Sequence, residues 1–161
     1  MENLTIRPAA REDAATLLKF VRELAAYEKA EDQVAASLAD IETSLFSETA
    51  SAKALICCQG ETPIGYAVYF FNYSTWLGKN GLYLEDLYIS PKFRHCGAGK
   101  FLLNHLAKIA VAKGCGRFEW SVLDWNEPAI RFYEKIGARP QKEWVIYRLA
   151  GEDLTAFAES M

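Results

Sequence analysis

The sequence predicts a mixed α/β fold, in which one sheet includes strands joined by parallel crossovers. Two apolar segments joined by a short turn indicate a hairpin in the first half of the chain. A strand–helix–strand–helix–strand order follows, and such crossovers between parallel strands are right-handed. With 161 residues, 51% of them hydrophobic, and no linker-like stretch, we expect residues 1–161 to form a single domain.

The first half begins with a short strand at residues 4–7. Residues 12–27 predict a helix, because apolar side chains recur on one helical face: Ala15, Leu18, Val21, Leu24 and Ala25. Ser37 and Asp40 have the spacing of a capping box, which predicts a second helix over residues 38–46.

The hairpin consists of strands 52–59 and 63–73, joined by a turn at residues 60–62. A second turn at residues 78–81 leads into a strand over residues 82–90.

The second half begins with a long helix that follows Gly99 and ends near Lys113. We expect it to bury Leu102, Leu103, Leu106, Ile109 and Ala110. A strand at residues 118–123 precedes a short helix that Asn126 caps and Gly137 ends. Residues 139–149 predict a final strand, followed by a short polar tail.

Composition argues against several classes of protein. The net charge of −3 and the pI near 5.5 give no support for nucleic-acid binding. The N-terminus has no apolar signal region, and no apolar run approaches the roughly 20 residues of a membrane span. The four cysteines show no metal-type spacing, so we expect reduced, buried thiols, no metal and a cytoplasmic protein.

A glycine loop joins the strand at residues 82–90 to the long helix. Gly97 and Gly99 let backbone N–H groups approach a ligand closely, and the helix N-terminus adds a partial positive charge. This arrangement suits a phosphate or pyrophosphate. The alternative is a tight strand-to-helix turn without a ligand, since the loop is not a P-loop and lacks the third glycine of the dinucleotide fingerprint.

The loop sequence RHCGAG at residues 94–99 resembles the [Q/R]-x-x-G-x-[G/A] acetyl-CoA loop of the GNAT N-acetyltransferases. Five further segments resemble the spermidine/spermine (diamine) acetyltransferase branch and its thialysine-acetylating relatives: YE at 27–28, NYSTW at 72–76, YLED at 83–86, LDWN at 123–126 and FY at 132–133. The similarity extends from the first strand to about Trp144.

This resemblance implies the GNAT fold, whose central mixed sheet is mostly antiparallel with a parallel segment around the acetyl-CoA site, and it implies acetyl-CoA as co-substrate. The loop that would hold the pyrophosphate comprises Arg94, His95, Cys96, Gly97, Ala98, Gly99 and Lys100. Its residues 95 and 96 are bulkier than those often found in the family. The strand backbone at Leu87, Tyr88 and Ile89 would pair with the pantetheine arm and support the thioester oxygen as it becomes an oxyanion. A further coenzyme contact is implied at Asn126, Glu127, Pro128 and Ala129.

The resemblance also suggests catalytic and substrate-binding residues. Tyr133 would protonate the leaving thiolate, although its helical spacing alone favours a core aromatic. Glu85 would accept a proton from the substrate ammonium through water; the alternative is a merely solvated carboxylate. The expected substrate-binding residues are Tyr27, Glu28, Glu85, Glu119 and Trp120.

The implied function is transfer of an acetyl group from acetyl-CoA to a primary amine of a small cationic substrate. We expect direct attack in a ternary complex, a homodimer, and neither nucleic-acid nor membrane partners. The substrate alternatives are a polyamine, thialysine, another amino acid or a protein lysine. Two segments, STW at 74–76 and LDWN at 123–126, favour the thialysine type. A second hypothesis is an acetyl-CoA-binding regulatory module without turnover.

Overall fold

A five-stranded mixed sheet forms the centre of residues 3–123 in the computed structural model, which describes residues 3–161. Its strands are β1 (Leu4–Pro8), β2 (Ala52–Gln59), β3 (Thr62–Ser74), β4 (Lys79–Ile89) and β5 (Phe118–Trp120), adjacent in that order. The pairs from β1 to β4 are antiparallel, whereas β4 and β5 are parallel. The mixed sheet predicted from the sequence is therefore confirmed.

Three helices belong to the same unit: α1 (Ala14–Tyr27), α2 (Leu38–Leu45) and α3 (Ala98–Ala112). The capping box predicted for α2 is present. The Asp40 backbone N–H donates to Ser37 Oγ at 3.2 Å, and the Ser37 N–H donates to Asp40 Oδ2 at 2.8 Å. These two bonds satisfy N–H groups at the start of the helix. The bonds that the Ser37 backbone N–H and the Ser37 hydroxyl donate to the Asp40 carboxylate hold the pKa of Asp40 below its usual value.

The core on the α1 side of the sheet confirms most of the predicted helix face, because Leu18 is buried and Val21 and Leu24 pack against the core. Ala15 is exposed, however, and Leu17 and Phe20, which were not predicted, are buried. The ring of Phe20 stacks on Tyr66 of β3, with centroids 5.8 Å apart, and this large contact area decides which stripe of α1 faces the sheet.

The long helix α3 buries the face that its apolar spacing predicts. Its buried residues are Ala98, Leu102, Leu103, Leu106 and Ala110, while Ile109 is only partly buried. Lys113 follows its last turn and Gly114 adopts a positive φ of 68°, which confirms the predicted C-terminal stop.

The second unit, residues 124–161, contains α4 (Glu127–Lys135) and α5 (Gly151–Ala158). The predicted strand over residues 139–149 is wrong: the structure describes all of these residues, and none is in a strand. The predicted polar tail contains α5 instead, and the strand predicted for residues 118–123 ends at Trp120. Apolar alternation favours a strand only where a sheet edge can pair with it, and residues 139–149 have no backbone ladder in this unit.

The predicted single domain remains an expectation, because the described chain divides into these two units. Among the described residues, no helix is long and apolar enough to cross a membrane.

Candidate active site

A bulge in β4 separates the two adjacent carboxylates of the YLED segment. Val68 of β3 lies opposite Asp86, and the next β3 residue, Tyr69, lies opposite Leu84. Glu85 is therefore the extra residue on β4, and it is exposed, while Asp86 is partly buried. The Tyr66 hydroxyl donates a hydrogen bond to Asp86 Oδ2 at 2.9 Å.

The Asp86 carboxylate is coupled to Glu28, which follows the last residue of α1. Burial raises the pKa of Asp86, while the hydrogen bond from Tyr66 lowers it. The pKa of Glu28 is raised first by burial and then by the negative charge of Asp86. Like charges disfavour each other's ionised form, so these two carboxylates form an acidic site that an ammonium group would neutralise.

The side chain of Arg94 contacts two aromatic residues of the predicted site: Tyr27, predicted to bind the substrate, and Tyr88, predicted to bind the coenzyme. Its guanidinium carbon lies 4.9 Å from the Tyr27 ring centroid and 5.5 Å from that of Tyr88. Its Nε donates to the Ile89 carbonyl oxygen at 2.9 Å, which ties the loop to the end of β4. The Tyr88 hydroxyl in turn donates to Glu23 Oε2 at 3.0 Å.

The sheet opens between β4 and β5. Their parallel pairing extends only over Leu82–Leu84 of β4, although β4 continues to Ile89. Ser90 N–H donates to the Ile64 carbonyl oxygen at 2.8 Å, so alternation along the antiparallel ladder directs the backbone groups of Leu87 and Ile89 away from β3. Within the described chain, no strand pairs with this edge of β4 beyond Leu84.

The backbone N–H and carbonyl groups of Tyr88 point in the opposite direction to those of Leu87 and Ile89. It lies opposite Tyr66 in the β3–β4 ladder, and the same alternation directs its backbone groups toward β3. Leu87 and Ile89 therefore have the backbone orientation suited to an added extended ligand, and Tyr88 contributes its side chain.

The glycine loop after β4 has the backbone shape of an anion site. His95 and Gly97 adopt positive φ values of 68° and 86°, and Gly97 is the N-cap of α3. The Phe101 N–H donates to the Gly97 carbonyl oxygen at 2.9 Å, which starts the helix. The preceding N–H groups of the first turn have no intrahelical acceptor, and residues 91–100 contain basic but no acidic side chains.

A cleft of about 530 Å³ runs along the loop and the first turns of α3. It is lined by Asn3, Leu4, Cys96, Gly97, Lys100, Phe101 and Asn104. The expectation of buried thiols is wrong for Cys96, which is exposed in this loop, whereas Cys57 and Cys58 are buried in β2. Burial raises the pKa of the Cys57 thiol to about 11.

Glu119 and Trp120 lie on β5 beside the opening, in register with Tyr83 and Leu84 of β4. Glu119 Oε1 forms an ion pair with Arg117 Nε at 2.9 Å. The Trp120 ring packs edge-on against Phe118, with centroids 4.9 Å apart. β5 therefore places both predicted substrate-binding residues next to the part of β4 that directly precedes the bulge at Glu85.

The remaining predicted residues belong to the second unit. Tyr133 lies on α4, is partly buried, and has its ring centroid 5.7 Å from that of Phe132. Asn126 is the N-cap residue of α4, and its carbonyl oxygen accepts from the Ile130 N–H at 3.0 Å. Ala129 is partly buried, whereas Glu127 and Pro128 are exposed.

Asp86 and Tyr66 are the residues that sequence reasoning missed. Regular alternation puts one of two adjacent carboxylates on the inner face, but it cannot show which one when a bulge shifts the strand. Tyr66 lies in an apolar strand where a tyrosine is an ordinary core residue. The signal available was the pair of acidic residues within an otherwise apolar strand.

The comparison with known proteins decides the family. The model of the acetyltransferase (GNAT) family matches residues 17–138. The chain belongs to the GNAT acetyltransferase family. It is an acetyl-CoA-dependent amine N-acetyltransferase.

Individual proteins support this assignment. A Sus scrofa thialysine N-epsilon-acetyltransferase is similar over its full length, with 37% identity covering 98% of this chain and 99% of that protein. The Arabidopsis thaliana L-ornithine N5-acetyltransferase NATA1 is 48% identical over 57% of this chain and 40% of that protein. An integron cassette protein of V. cholerae is similar in structure, with a TM-score of 0.82, 28% identity, and coverage of 97% of this chain and 98% of that one.

The structure contains no clustered side chains for a metal ion within the part it describes. Residues 3–161 include no group of three or more His, Cys, Asp or Glu side chains that could hold one.

Proposed function

We propose that this N-acetyltransferase acts on the terminal amine of a small basic amino acid or diamine. The observation that carries the proposal is the acidic site formed by Asp86, which accepts a hydrogen bond from the Tyr66 hydroxyl at 2.9 Å, and Glu28, whose pKa is raised by burial and by the charge of Asp86. Carboxylates of this kind pair with a substrate ammonium. The names of two relatives point the same way, since thialysine and ornithine are both amino acids with a second, terminal amine.

The residues present fit the coenzyme part of acetyl-CoA. A pyrophosphate suits the basic loop, because Gly97 takes its left-handed conformation with open space where a side chain would begin. The pantetheine arm would pair with the backbone of Leu87 and Ile89 as an added strand. Residues 126–129 would supply a further contact.

Two side chains have proposed catalytic roles. Acetyl-CoA supplies the activated acetyl thioester. Glu85 accepts a proton from the substrate ammonium through a water molecule, so that the neutral amine can attack directly, and Tyr133 donates its phenolic proton to the leaving thiolate. Direct attack is supported by the position of Cys96, whose thiol donates to the Phe93 carbonyl oxygen at 2.8 Å rather than to a basic side chain.

Initial rates of coenzyme A release test the substrate class. The purified chain is supplied with acetyl-CoA and, in separate reactions, thialysine, ornithine, lysine, putrescine, spermidine or no amine. We expect thialysine or ornithine to give the highest kcat/KM. Faster turnover of spermidine would favour the polyamine alternative, and release at the same rate without any amine would contradict amine transfer.

We also propose that the protein is a homodimer in the cytoplasm. Support for the dimer comes from apolar side chains in the second unit, where Trp144 is 70% exposed, Tyr147 is 95% exposed and Phe157 is 70% exposed. Exposed apolar surface of this kind marks interaction sites. Light scattering after gel filtration should give twice the chain mass of 18.1 kDa; a mass of one chain at micromolar concentration would contradict the dimer.

A further inference from the structure

The ring of Tyr66 lies in the hydrophobic core, and its hydroxyl group makes a hydrogen bond to Asp86. The side chain is fully buried, with 0% exposure, and its ring stacks on Phe20 at an interplanar angle of 10°. A phenylalanine would keep this stacking. The tyrosine adds only the hydroxyl, which donates to Asp86 Oδ2 at 2.9 Å.

The sheet fixes the relative position of Tyr66 and Asp86. Val68 lies opposite Asp86 in the β3–β4 ladder, and Tyr66 lies two residues before Val68 on the same face. Tyr66 and Asp86 are thus diagonal neighbours, within reach of an aromatic side chain. Because Phe20 holds the ring, the hydroxyl is a fixed donor for a carboxylate that follows directly after the β4 bulge.

The charge balance around Asp86 explains what this donor does. Burial disfavours the ionised form of Asp86, and the bond from Tyr66 favours it. The ionisable groups around it are Glu28 at the end of α1, Tyr66 on β3 and Tyr88 on β4, and Tyr88 itself interacts with Glu23 and Arg94. A neighbouring ammonium group would favour the ionised form of both Glu28 and Asp86 and so offset the effect of burial on their pKa values.

We propose that Tyr66 is a positioning residue for the substrate: its hydroxyl holds the Asp86 carboxylate in place to bind, together with Glu28, the ammonium group that does not react. This inference rests on the proposed function, because it requires a substrate with two amines. One amine loses its proton and is acetylated, while the other stays cationic and is anchored. Tyr66 thereby contributes to the preference for diamino substrates over monoamines.

Tyr66→Phe tests the hydroxyl without removing the ring. We use ornithine and 5-aminopentanoate, which share the terminal amine but differ in the second amine. The KM for ornithine should rise about tenfold, the scale of one hydrogen bond to a charged group, while kcat and the KM for acetyl-CoA change by less than about twofold. The KM for 5-aminopentanoate should not change, because that compound has no second ammonium to anchor.

Tyr69→Phe is the matched control. Tyr69 is a buried tyrosine on the same strand, and its ring packs edge-on against Phe71 at 6.0 Å. We expect this variant to match the wild type with both substrates. A double-mutant cycle with Asp86→Asn adds a second check, because Tyr66→Phe should have no further effect on the KM for ornithine once the Asp86 charge is gone.

Two results would overturn the proposal: an unchanged KM for ornithine in Tyr66→Phe, or an equal rise in KM for both compounds. If the wild-type enzyme acetylates neither compound, the proposed substrate class fails, and the role of Tyr66 is judged separately. An NMR titration of the Asp86 carboxyl carbon then decides, since loss of the donated bond should raise the pKa of Asp86 in Tyr66→Phe. An identical titration in both proteins would refute the positioning role.

Discussion

The two glycines of the coenzyme loop should respond oppositely to alanine. Gly97 has a φ of +86°, and a Cβ built there meets nothing within 4 Å, so only backbone strain opposes Gly97→Ala. That strain is about 1–2 kcal/mol for an L-residue in the left-handed region. The lower entropy of the unfolded alanine chain offsets about 0.4–1 kcal/mol, which leaves a destabilisation of about 1 kcal/mol.

Gly99 lies two residues further on, inside the first turn of α3, and its φ is not in the left-handed region. A Cβ there would touch Ile89 Cγ1 at 3.9 Å, an ordinary van der Waals contact. Gly99→Ala should therefore stabilise the protein by about 0.5 kcal/mol through helix propensity. The melting temperatures of the two variants should then differ by roughly 3–6 °C.

Thermal unfolding followed by circular dichroism measures this difference, with urea unfolding as a second reading of the free energy. If Gly97→Ala is as stable as the wild type, the loop does not take the left-handed turn that directs its N–H groups. Because that turn is proposed to hold the pyrophosphate, Gly97→Ala should also weaken acetyl-CoA binding in calorimetry more than Gly99→Ala does.

Three further variants probe separate parts of the account. Tyr133→Phe should lower kcat far more than acetyl-CoA affinity, and an equal loss of both would make Tyr133 structural. Asp86→Asn should raise stability at pH 7, because the raised pKa of Asp86 makes its ionised form costly in the folded state; this gain should vanish below about pH 4, where the unfolded chain is protonated too. A constant gain at all pH values in urea unfolding would contradict that cause. Ser37→Ala should cost about 1 kcal/mol in the same assay by removing the α2 cap, and no loss would show that the cap is replaced by water.

Much of the fold follows from local sequence signals. The β2–β3 hairpin, the capping box of α2 and the α3 stop after Ala112 each depend on a few neighbouring residues, and all three are present as predicted. The sequence also predicts Gly97 as part of the glycine loop, and its positive φ explains why a glycine is favoured at this position.

Other features depend on partners distant in sequence. The face of α1 that packs against the sheet depends on the stacking of Phe20 on Tyr66, which lies 46 positions further along the chain. The inward position of Asp86 depends on a bulge that only the β3–β4 register reveals. The segment at residues 139–149 has strand-like composition but no ladder within the second unit, because composition cannot supply a pairing edge.

The most direct test of the central claim is to identify the acetylated nitrogen. The enzyme is incubated with acetyl-CoA labelled with ¹³C at the acetyl carbonyl and with ornithine, and the product is examined by two-dimensional ¹H–¹³C NMR. The account predicts a correlation from the labelled carbonyl to the protons of the terminal methylene, as expected when the other ammonium is anchored by Asp86 and Glu28. Label on the α-nitrogen, or labelled acetate without an amide, would contradict it.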